Sequence, residues 1–346
     1  MHVRRPDEKL ASVTMPVLQP TSQLRLDSAD CVVVSAGFED RAQGVLRNAA
    51  AAGSDFKVVI VNYLPFLAEN RLDQIRSFCQ EAKLKTVVAT YDRQNPAGFG
   101  AVLAETVSGV RGRIFLDISG MSRLLIVQSL VALAVSETGL SNCVVAYTEA
   151  TEYPPTTAEV EQALKQANED PMHMILLISS GVFDVTVVPE LSSTSIPGGQ
   201  NRLVVFPTFS ADQLTALLNE LGPSRLTFIH GIPPGAHNKW RTEAITEINR
   251  LDSIPHEGLR TSTLDYRETL DALLKLYARC SERERLLVSP TGSKMQSVAV
   301  GLFRAFVDDV QIVYPTPRDF CSPTNYTRGV GPHYTLPLEG FSFSNV

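Results

Sequence analysis

Hydrophobic positions along this chain alternate between short β-branched runs and longer stretches with a helical period. In the first half, five apolar runs predict buried strands at residues 31–35, 57–62, 86–90, 113–117 and 143–147. Helical periodicity lies between them, near residues 41–52, 69–83, 97–108 and 122–137. Continuous apolar strands that alternate with helices indicate a parallel sheet covered on both faces.

The second half of the chain repeats this rhythm. Strands are predicted at residues 203–206, 225–230, 260–264, 285–288 and 310–314. The helices between them are predicted at residues 210–221, 239–250, 267–280 and 293–306. The centres of corresponding strands lie between 167 and 174 residues apart, always in the same order. This regular separation favours an internal duplication over a chance similarity of two α/β domains.

Segments outside the repeated rhythm predict the domain boundaries. Residues 1–27 are polar and predict an N-terminal arm, and residues 192–201 (S-S-T-S-I-P-G-G-Q-N) predict a linker. The first domain is then 28–191, and the second is 202–346. A short amphipathic helix is predicted at residues 157–168.

Two further apolar segments predict hairpins. Residues 174–179 and 182–188 flank Ser180 and Gly181, and residues 181–189 match residues 329–337 without a gap. We therefore expect an α/β fold of two tandem Rossmann-like doubly wound parallel-sheet units, each with an appended β-hairpin, arranged as a pseudo-dimer.

Composition narrows the function classes. The chain has 346 residues, a formal net charge of −6, 44% hydrophobic residues and five scattered cysteines without a CxxC pair. An acidic balance argues against a duplex-DNA binder, and scattered cysteines predict reduced thiols in a cytoplasmic protein. No apolar run follows the first ten residues or approaches the length of a bilayer span, so neither a signal peptide nor a membrane segment is predicted.

The fourth strand of each half ends in a similar turn. Residues 115–123 read F-L-D-I-S-G-M-S-R, and residues 286–294 read L-L-V-S-P-T-G-S-K. Each turn leads into a helix that begins with a serine and a cation. A helix N-terminus carries unpaired N–H groups and a partial positive charge, so this arrangement suits a phosphate group. The alternative is a pair of solvated helix ends without a ligand.

The stretch S-P-T-G-S-K-M-Q at residues 289–296 resembles the Thr-Gly-Gly-Thr-Lys type turn of CARF domains. CARF domains are Rossmann-like sensors attached to CRISPR effectors, and the related SAVED domains carry two such units in one chain. The resemblance covers most of the chain in element order but about eight residues in motif. It departs from the family pattern at Pro290 and at Arg123, which stands where the family has lysine.

The resemblance implies recognition of cyclic oligoadenylates or similar cyclic nucleotides across a two-fold or pseudo-two-fold interface. The turns after the first and fourth strands would face the ligand. Ligands of open parallel sheets lie beyond the carboxyl ends of the strands, which independently favours the same loops. The expected ligand-binding residues are Ser35, Gly37, Arg41, Ser119, Ser122, Arg123, His230, Lys239, Trp240, Thr291, Gly292, Ser293 and Lys294.

The loop after the second strand of the second half is unusual. Residues 230–240 hold two histidines, an asparagine, a lysine and the only tryptophan. A base could stack on Trp240 while His237 or Lys239 meets phosphate. The alternative is that Trp240 belongs to the core.

Three acidic residues allow two interpretations, one functional and one structural. Glu39, Asp40 and Asp117 could bind a divalent ion or supply a general base. The favoured interpretation is structural, with Glu39 or Asp40 capping a helix and Arg41 pairing with Asp117. Asp117, Glu39 and His237 are the weak catalytic candidates, and no metal or cofactor is expected.

Three hypotheses about function follow. The favoured one is a nucleotide-recognition protein of antiviral defence that relays a cyclic-oligonucleotide signal to a separate effector protein. The second is a ring-nuclease-type enzyme that cleaves a cyclic oligonucleotide without a metal, because positioned 2′-hydroxyl attack needs little beyond phosphate cations and orientation. The third is a non-catalytic structural subunit of a defence complex. Since the first copy has Asp117 where the second has Val288, chemistry is expected nearer the first copy.

Overall fold

A computed structural model describes residues 15–53, 55–137, 139–170, 175–193, 199–322 and 326–339. They divide into two compact units. The first unit contains the described residues of 15–153 and of 326–339, and the second contains those of Pro154–Ser322. Within the described part of the chain, no helix has the length and apolar character needed to cross a membrane.

The strands, in chain order, are β1 (Gln19–Pro20), β2 (Cys31–Ser35), β3 (Lys57–Leu64), β4 (Lys85–Asp92), β5 (Ile114–Asp117), β6 (Cys143–Thr148), β7 (Ser179–Val187), β8 (Gln200–Val205), β9 (Arg225–Ile232), β10 (Glu257–Ser262), β11 (Glu284–Ser289), β12 (Gln311–Phe320) and β13 (His333–Pro337). The α-helices are α1 (Gly44–Ala51), α2 (Leu72–Glu81), α3 (Phe99–Val107), α4 (Arg123–Val135), α5 (Thr157–Glu169), α6 (Ala211–Leu221), α7 (Trp240–Ile248), α8 (Tyr266–Cys280) and α9 (Lys294–Phe306).

Both sheets have the same parallel core. The first sheet has the order β1-β13-β6-β5-β2-β3-β4, and the second has the order β10-β9-β8-β11-β12-β7. Numbered within each half, the five parallel strands lie in the order 3-2-1-4-5, which is the Rossmann-like order. The expected α/β fold of two Rossmann-like units is confirmed.

Burial explains why these strands are apolar without alternation. All five residues of β2 and all four of β5 are buried, because helices cover both faces of a doubly wound sheet. Helices α4 and α9 are also buried around most of their circumference, since nine and eleven of their thirteen residues are buried.

The edge strands correct the hairpin prediction. Strand β7 runs continuously through Ser180 and Gly181 and pairs antiparallel with β12 in the second sheet. Strand β13 pairs antiparallel with β6 in the first sheet. Gly181 does have a positive φ of 69°, but this backbone conformation lies inside a strand whose register shifts opposite Thr316 and Pro317. Each appended element is thus one edge strand, not a hairpin.

The domain boundaries also differ from the expected ones. Helix α5 and strand β7, expected in the first domain, lie in the second unit, and the C-terminal strand β13 lies in the first. In the expected arm, β1 pairs with β13, and Leu24 and Leu26 are buried in the first core. Residues 1–14 of that arm and 194–198 of the expected linker lie outside the described residues.

Strand pairing supports the duplication in detail. Thr335 of β13 lies opposite Ala146 of β6. The residue 148 positions before Thr335 is Val187, and the residue 167 positions after Ala146 is Val313. Val187 and Val313 lie opposite each other in the β7–β12 pair. The two copies therefore place their edge strands in the same register, although each edge strand joins the sheet of the other copy.

Candidate functional site

The turn between β5 and α4 is built around a capping serine. Ser122 Oγ accepts a hydrogen bond from Leu125 N at 3.3 Å, which caps α4. The Ser122 backbone N–H donates to the Tyr63 hydroxyl at 2.8 Å, so the end of β3 supports the turn. Burial raises the pKa of Tyr63 to about 12, although its hydrogen bonds with Ser122 oppose the shift. Sequence reasoning missed Tyr63, which directly follows the strand predicted at residues 57–62.

Asp117 is fully buried and stabilises the turn between β5 and α4. Its Oδ1 accepts from Ser119 N at 3.0 Å and from Ser119 Oγ at 2.5 Å. Ser119 Oγ in turn accepts from Thr148 N at 2.8 Å. These bonds tie the end of β5 to the end of β6.

Arg41 does not pair with Asp117, and this part of the sequence prediction is wrong. Its guanidinium lies 2.8 Å from Glu39 Oε2 and donates to the hydroxyls of Tyr147 and Tyr153 at 3.0 and 3.1 Å. Burial alone would lower the pKa of Arg41, but the charge of Glu39 and the two tyrosines raise it. Glu39 makes no side-chain helix cap, because its carboxylate serves this buried pair.

Glycine backbones bring the loops after β2 and β5 into contact. A Cβ placed on Gly37 would lie 3.0 Å from Gly120 O. A Cβ placed on Gly120 would lie 2.7 Å from Ala42 Cβ and 2.8 Å from Ser35 Oγ. The predicted residues Ser35, Gly37, Ser119 and Ser122 therefore do come together at the carboxyl edge of the first sheet.

Arg123 begins α4 and is half-buried. Its Nη1 donates to the hydroxyl of Tyr326 at 2.6 Å. The Tyr326 ring packs edge-on against Phe38, with 5.5 Å between ring centres. Tyr326 lies on the C-terminal segment, and sequence reasoning missed its contact with Arg123.

The equivalent turn of the second unit, between β11 and α9, has a full capping box. Ser293 Oγ accepts from Gln296 N at 3.1 Å, and Gln296 Oε1 accepts from Ser293 N at 2.8 Å. Ser293 Oγ also donates to Thr263 O at 2.6 Å. Thr291 Oγ1 donates to Phe206 O at 2.7 Å, which fastens the turn to the end of β8. Lys294 follows the cap and is only 7% exposed.

Helix capping reduces the number of backbone N–H groups that these turns could donate to a ligand. The backbone amides of Ser122, Leu125, Ser293 and Gln296 all donate within the protein. Fewer N–H groups are therefore unpaired than the sequence predicted. Cationic side chains are therefore the main means by which these turns could hold a phosphate group.

Each carboxyl edge also contains a buried polar atom without a hydrogen bond. Asn62 Oδ1 lies at the end of β3, and Ser289 Oγ lies at the end of β11. Because buried polar atoms are nearly always paired, each of these two atoms can take a hydrogen bond from an ordered water or from a ligand.

Some residues of the loop after β9 are exposed, and others pack against neighbouring elements. Gly231 approaches the α9 cap, since a Cβ there would lie 3.4 Å from the Gln296 amide. His237 and Lys239 are exposed. Trp240 packs near Phe209, with ring centres 6.2 Å apart, and the Arg241 guanidinium lies 5.2 Å from the Trp240 ring. This packing favours the core interpretation of Trp240 over base stacking.

His230 lies on β9 and is half-buried, with its ring centre 6.4 Å from that of His256. Burial lowers its pKa, and the nearby charges of His256 and Arg260 lower it further. His230 and Trp240 pack beside His256 and Phe209, and Lys239 lies exposed on the loop after β9. Among the described residues there is no group of three or more His, Cys, Asp or Glu side chains that could hold a metal ion.

Comparisons with known proteins were made for the whole chain. No protein-family model matches it, and no curated protein matches it. One similar solved structure is a type III CRISPR defence DNA nuclease activated by cyclic oligoadenylate, with 10% identity and a TM-score of 0.48. The match covers 82% of this chain and 65% of the nuclease chain, so this chain spans about two thirds of the nuclease's length.

Two further structures are more distant. The cytoplasmic domain of a prokaryotic cation chloride cotransporter has 12% identity and a TM-score of 0.24, over 84% of this chain and 95% of that one. An N-terminal ketoreductase from a macrolactin assembly line has 11% identity and a TM-score of 0.20, over 88% and 75%. At such TM-scores these likenesses carry no argument about ligand or activity.

Proposed function

We propose that this chain recognises a cyclic or phosphorylated nucleotide of the cyclic-oligonucleotide class. The observation that carries the proposal is the repeated helix start, Ser122–Arg123 in the first unit and Ser293–Lys294 in the second. Both serines cap a thirteen-residue helix that follows the fourth parallel strand. Each unit therefore has a cation at the helix start where a phosphate group of a nucleotide could bind.

The position of these cations supports the proposal. They lie just beyond the carboxyl ends of β5 and β11, where ligands of open parallel sheets bind. The positive end of the helix dipole adds to their charge. The unpaired Asn62 Oδ1 and Ser289 Oγ are polar groups at these edges that a ligand could pair with. The relay to a separate effector protein in antiviral defence rests on the resemblance of the β11–α9 turn to CARF domains.

Direct binding tests the proposal. Cyclic oligoadenylates of three, four and six nucleotides are titrated into the protein by calorimetry, with chromatography of the nucleotide afterwards. We expect binding of at least one of them. Arg123→Ala and Lys294→Met should each weaken it about tenfold or more, the size of one hydrogen bond to a charged group. Methionine preserves the length and apolar stem of the buried Lys294.

Matched controls are available on exposed helix faces. Arg76→Ala on α2 and Lys275→Ala on α8 remove cations far from either helix start in sequence, and we expect no change in affinity. Loss of binding in these controls would show a general charge effect. Absence of binding to all three nucleotides would contradict the proposal and favour the structural-subunit hypothesis. Conversion of the nucleotide into linear products would favour the ring-nuclease hypothesis.

A further inference from the structure

We infer that Tyr326, on the C-terminal segment, is a positioning residue for Arg123, so that this segment completes the phosphate-binding site of the first unit. The inference rests on the proposed function and extends it to a residue 203 positions away in the sequence.

The contact itself is direct. The Arg123 guanidinium donates to the Tyr326 hydroxyl at 2.6 Å, which is short for a nitrogen–oxygen hydrogen bond. A guanidinium has five N–H donors in a planar fork, so a bond from one of them to a hydroxyl restricts the orientation of the whole group. The Phe38 ring, on the loop after β2, packs edge-on against Tyr326 and limits the positions of its ring.

Several bonds hold the C-terminal segment over the loop after β2. Thr327 Oγ1 donates to Glu39 Oε2 at 2.8 Å, and Gly329 N donates to Asp40 Oδ2 at 3.1 Å. Asp40 is itself paired with Arg71 at 2.6 Å. Tyr326 thus stands at the start of a segment that is anchored on two successive acidic residues. Glu39 and Asp40, two of the three acidic residues considered above for a metal ion or a general base, thus hold the C-terminal segment.

The corresponding residues of the second unit are Asp212 and Gly181. Asp212 lies 172 positions after Asp40, and Gly181 lies 148 positions before Gly329. Burial raises the pKa of Asp212, and the hydrogen bond from the backbone N–H of Gln213 opposes the shift. Gly181 and Gly329 have nearly equal φ values of 69° and 70°. The returning segment therefore has a glycine with the same positive φ in both copies.

The copies differ at the tyrosine. The residue 148 positions before Tyr326 is Ile178, which packs against the apolar cluster that contains Phe209. At this position the second copy therefore has an apolar side chain where the first copy has a hydroxyl.

A double-mutant cycle tests the inference. Tyr326→Phe removes the hydroxyl and keeps the ring against Phe38. With the cyclic oligoadenylate of three, four or six nucleotides that wild type binds best, we expect about tenfold weaker binding. Arg123→Ala and the double variant Arg123→Ala/Tyr326→Phe should bind equally, because a positioning residue has no effect without the side chain that it positions.

Controls separate this role from a structural one. Tyr277→Phe on α8 removes a similar exposed hydroxyl, which donates to Asp309 at 2.8 Å, and should leave affinity unchanged. Phe38→Leu is a second variant that should weaken binding in the Arg123 protein but not in the Arg123→Ala protein. Thermal melting of each variant establishes that it folds.

The outcomes are distinct. Unchanged affinity of Tyr326→Phe, or a further loss of affinity when it is added to Arg123→Ala, would overturn the inference while Arg123→Ala still supported the proposed function. If the wild-type protein bound none of the nucleotides, the proposed function and this inference would both be overturned.

Discussion

Two glycines, Gly120 and Gly292, set how closely the loops approach each other at the carboxyl edges of the two sheets. A Cβ on Gly120 would meet Ala42 and Ser35, and a Cβ on Gly292 would meet the Gln296 side chain and, at 2.9 Å, Phe206 Cβ. In both units, therefore, the turn after the fourth parallel strand packs closely against residues at or after the end of the first parallel strand. No methyl group fits between them. The two turns are built alike even though their sequences differ.

Alanine at either glycine should destabilise the protein. We expect Gly120→Ala and Gly292→Ala each to lower the free energy of unfolding by about 1–3 kcal/mol, because overpacking displaces neighbouring backbone. Gly109→Ala is the matched control, since a Cβ there meets no atom within 4 Å. Urea unfolding measures all three. Equal midpoints for Gly120→Ala and Gly109→Ala would contradict the close approach of the first-unit loops.

Two histidines make stability depend on pH. Burial lowers the pKa of His230, which His256 and Arg260 lower further, and burial lowers the pKa of His333. A histidine with a lower pKa in the folded state takes up a proton more readily when the chain unfolds. Its stabilising effect is complete above the unfolded value of 6.5 and declines as pH falls through the folded pKa.

We therefore expect the melting temperature to fall between pH 7.5 and pH 5.5, by a few degrees. The variant His230→Gln/His333→Gln should show a smaller fall over the same interval, because neither glutamine titrates. Differential scanning calorimetry at both pH values measures the difference. A fall of the same size in wild type and variant would show that other groups are responsible.

At the scale of elements, local pattern and observed structure agree closely in the parallel cores. The predicted strand at residues 31–35 is β2, and the predicted helix at residues 293–306 begins one residue before α9. These elements are specified by short-range features, namely apolar period and a serine cap, so sequence alone predicts them well. Ser122 and Ser293, predicted to begin the two helices, are the N-cap residues of α4 and α9.

The edge strands show where local pattern is insufficient. Extended structure was predicted for residues 182–188, and β7 is extended over most of them. The hairpin was wrong because the choice of partner strand depends on which sheet edge is open in the folded chain. Strand β12 continues to Phe320 and pairs antiparallel with β7 at seven residue pairs, a long-range gain that periodicity does not encode.

At the scale of the whole molecule, the exchange of edge strands links the two halves of the sequence. The first sheet contains β13 from the C-terminal end, and the second contains β7 from before the expected linker. The antiparallel neighbour of β6 is therefore not available to a fragment that ends near residue 193. Neither half of the sequence can complete its own sheet.

This exchange predicts that a chain cut within residues 194–198 stays together. We expect two co-expressed fragments, 1–196 and 197–346, to copurify through an affinity tag on only one of them. The control is an N-terminal fragment that ends at Tyr153 and so lacks α5 and β7, which should retain the C-terminal fragment less well. Complete separation of the first pair on a gel-filtration column would contradict the strand exchange.

Sequence by itself determined the duplication, the order of strands and helices, and the two serine-capped helix starts with their cations, because each depends on residues near one another in the chain. Tertiary structure alone decided that β7 and β13 exchange sheets, that Arg41 pairs with Glu39, and that Tyr326 contacts Arg123. Those outcomes depend on contacts between distant segments, whose energies come from packing and burial in the folded state. The candidate site therefore combines local features that the sequence predicts with one tyrosine that only the fold brings to Arg123.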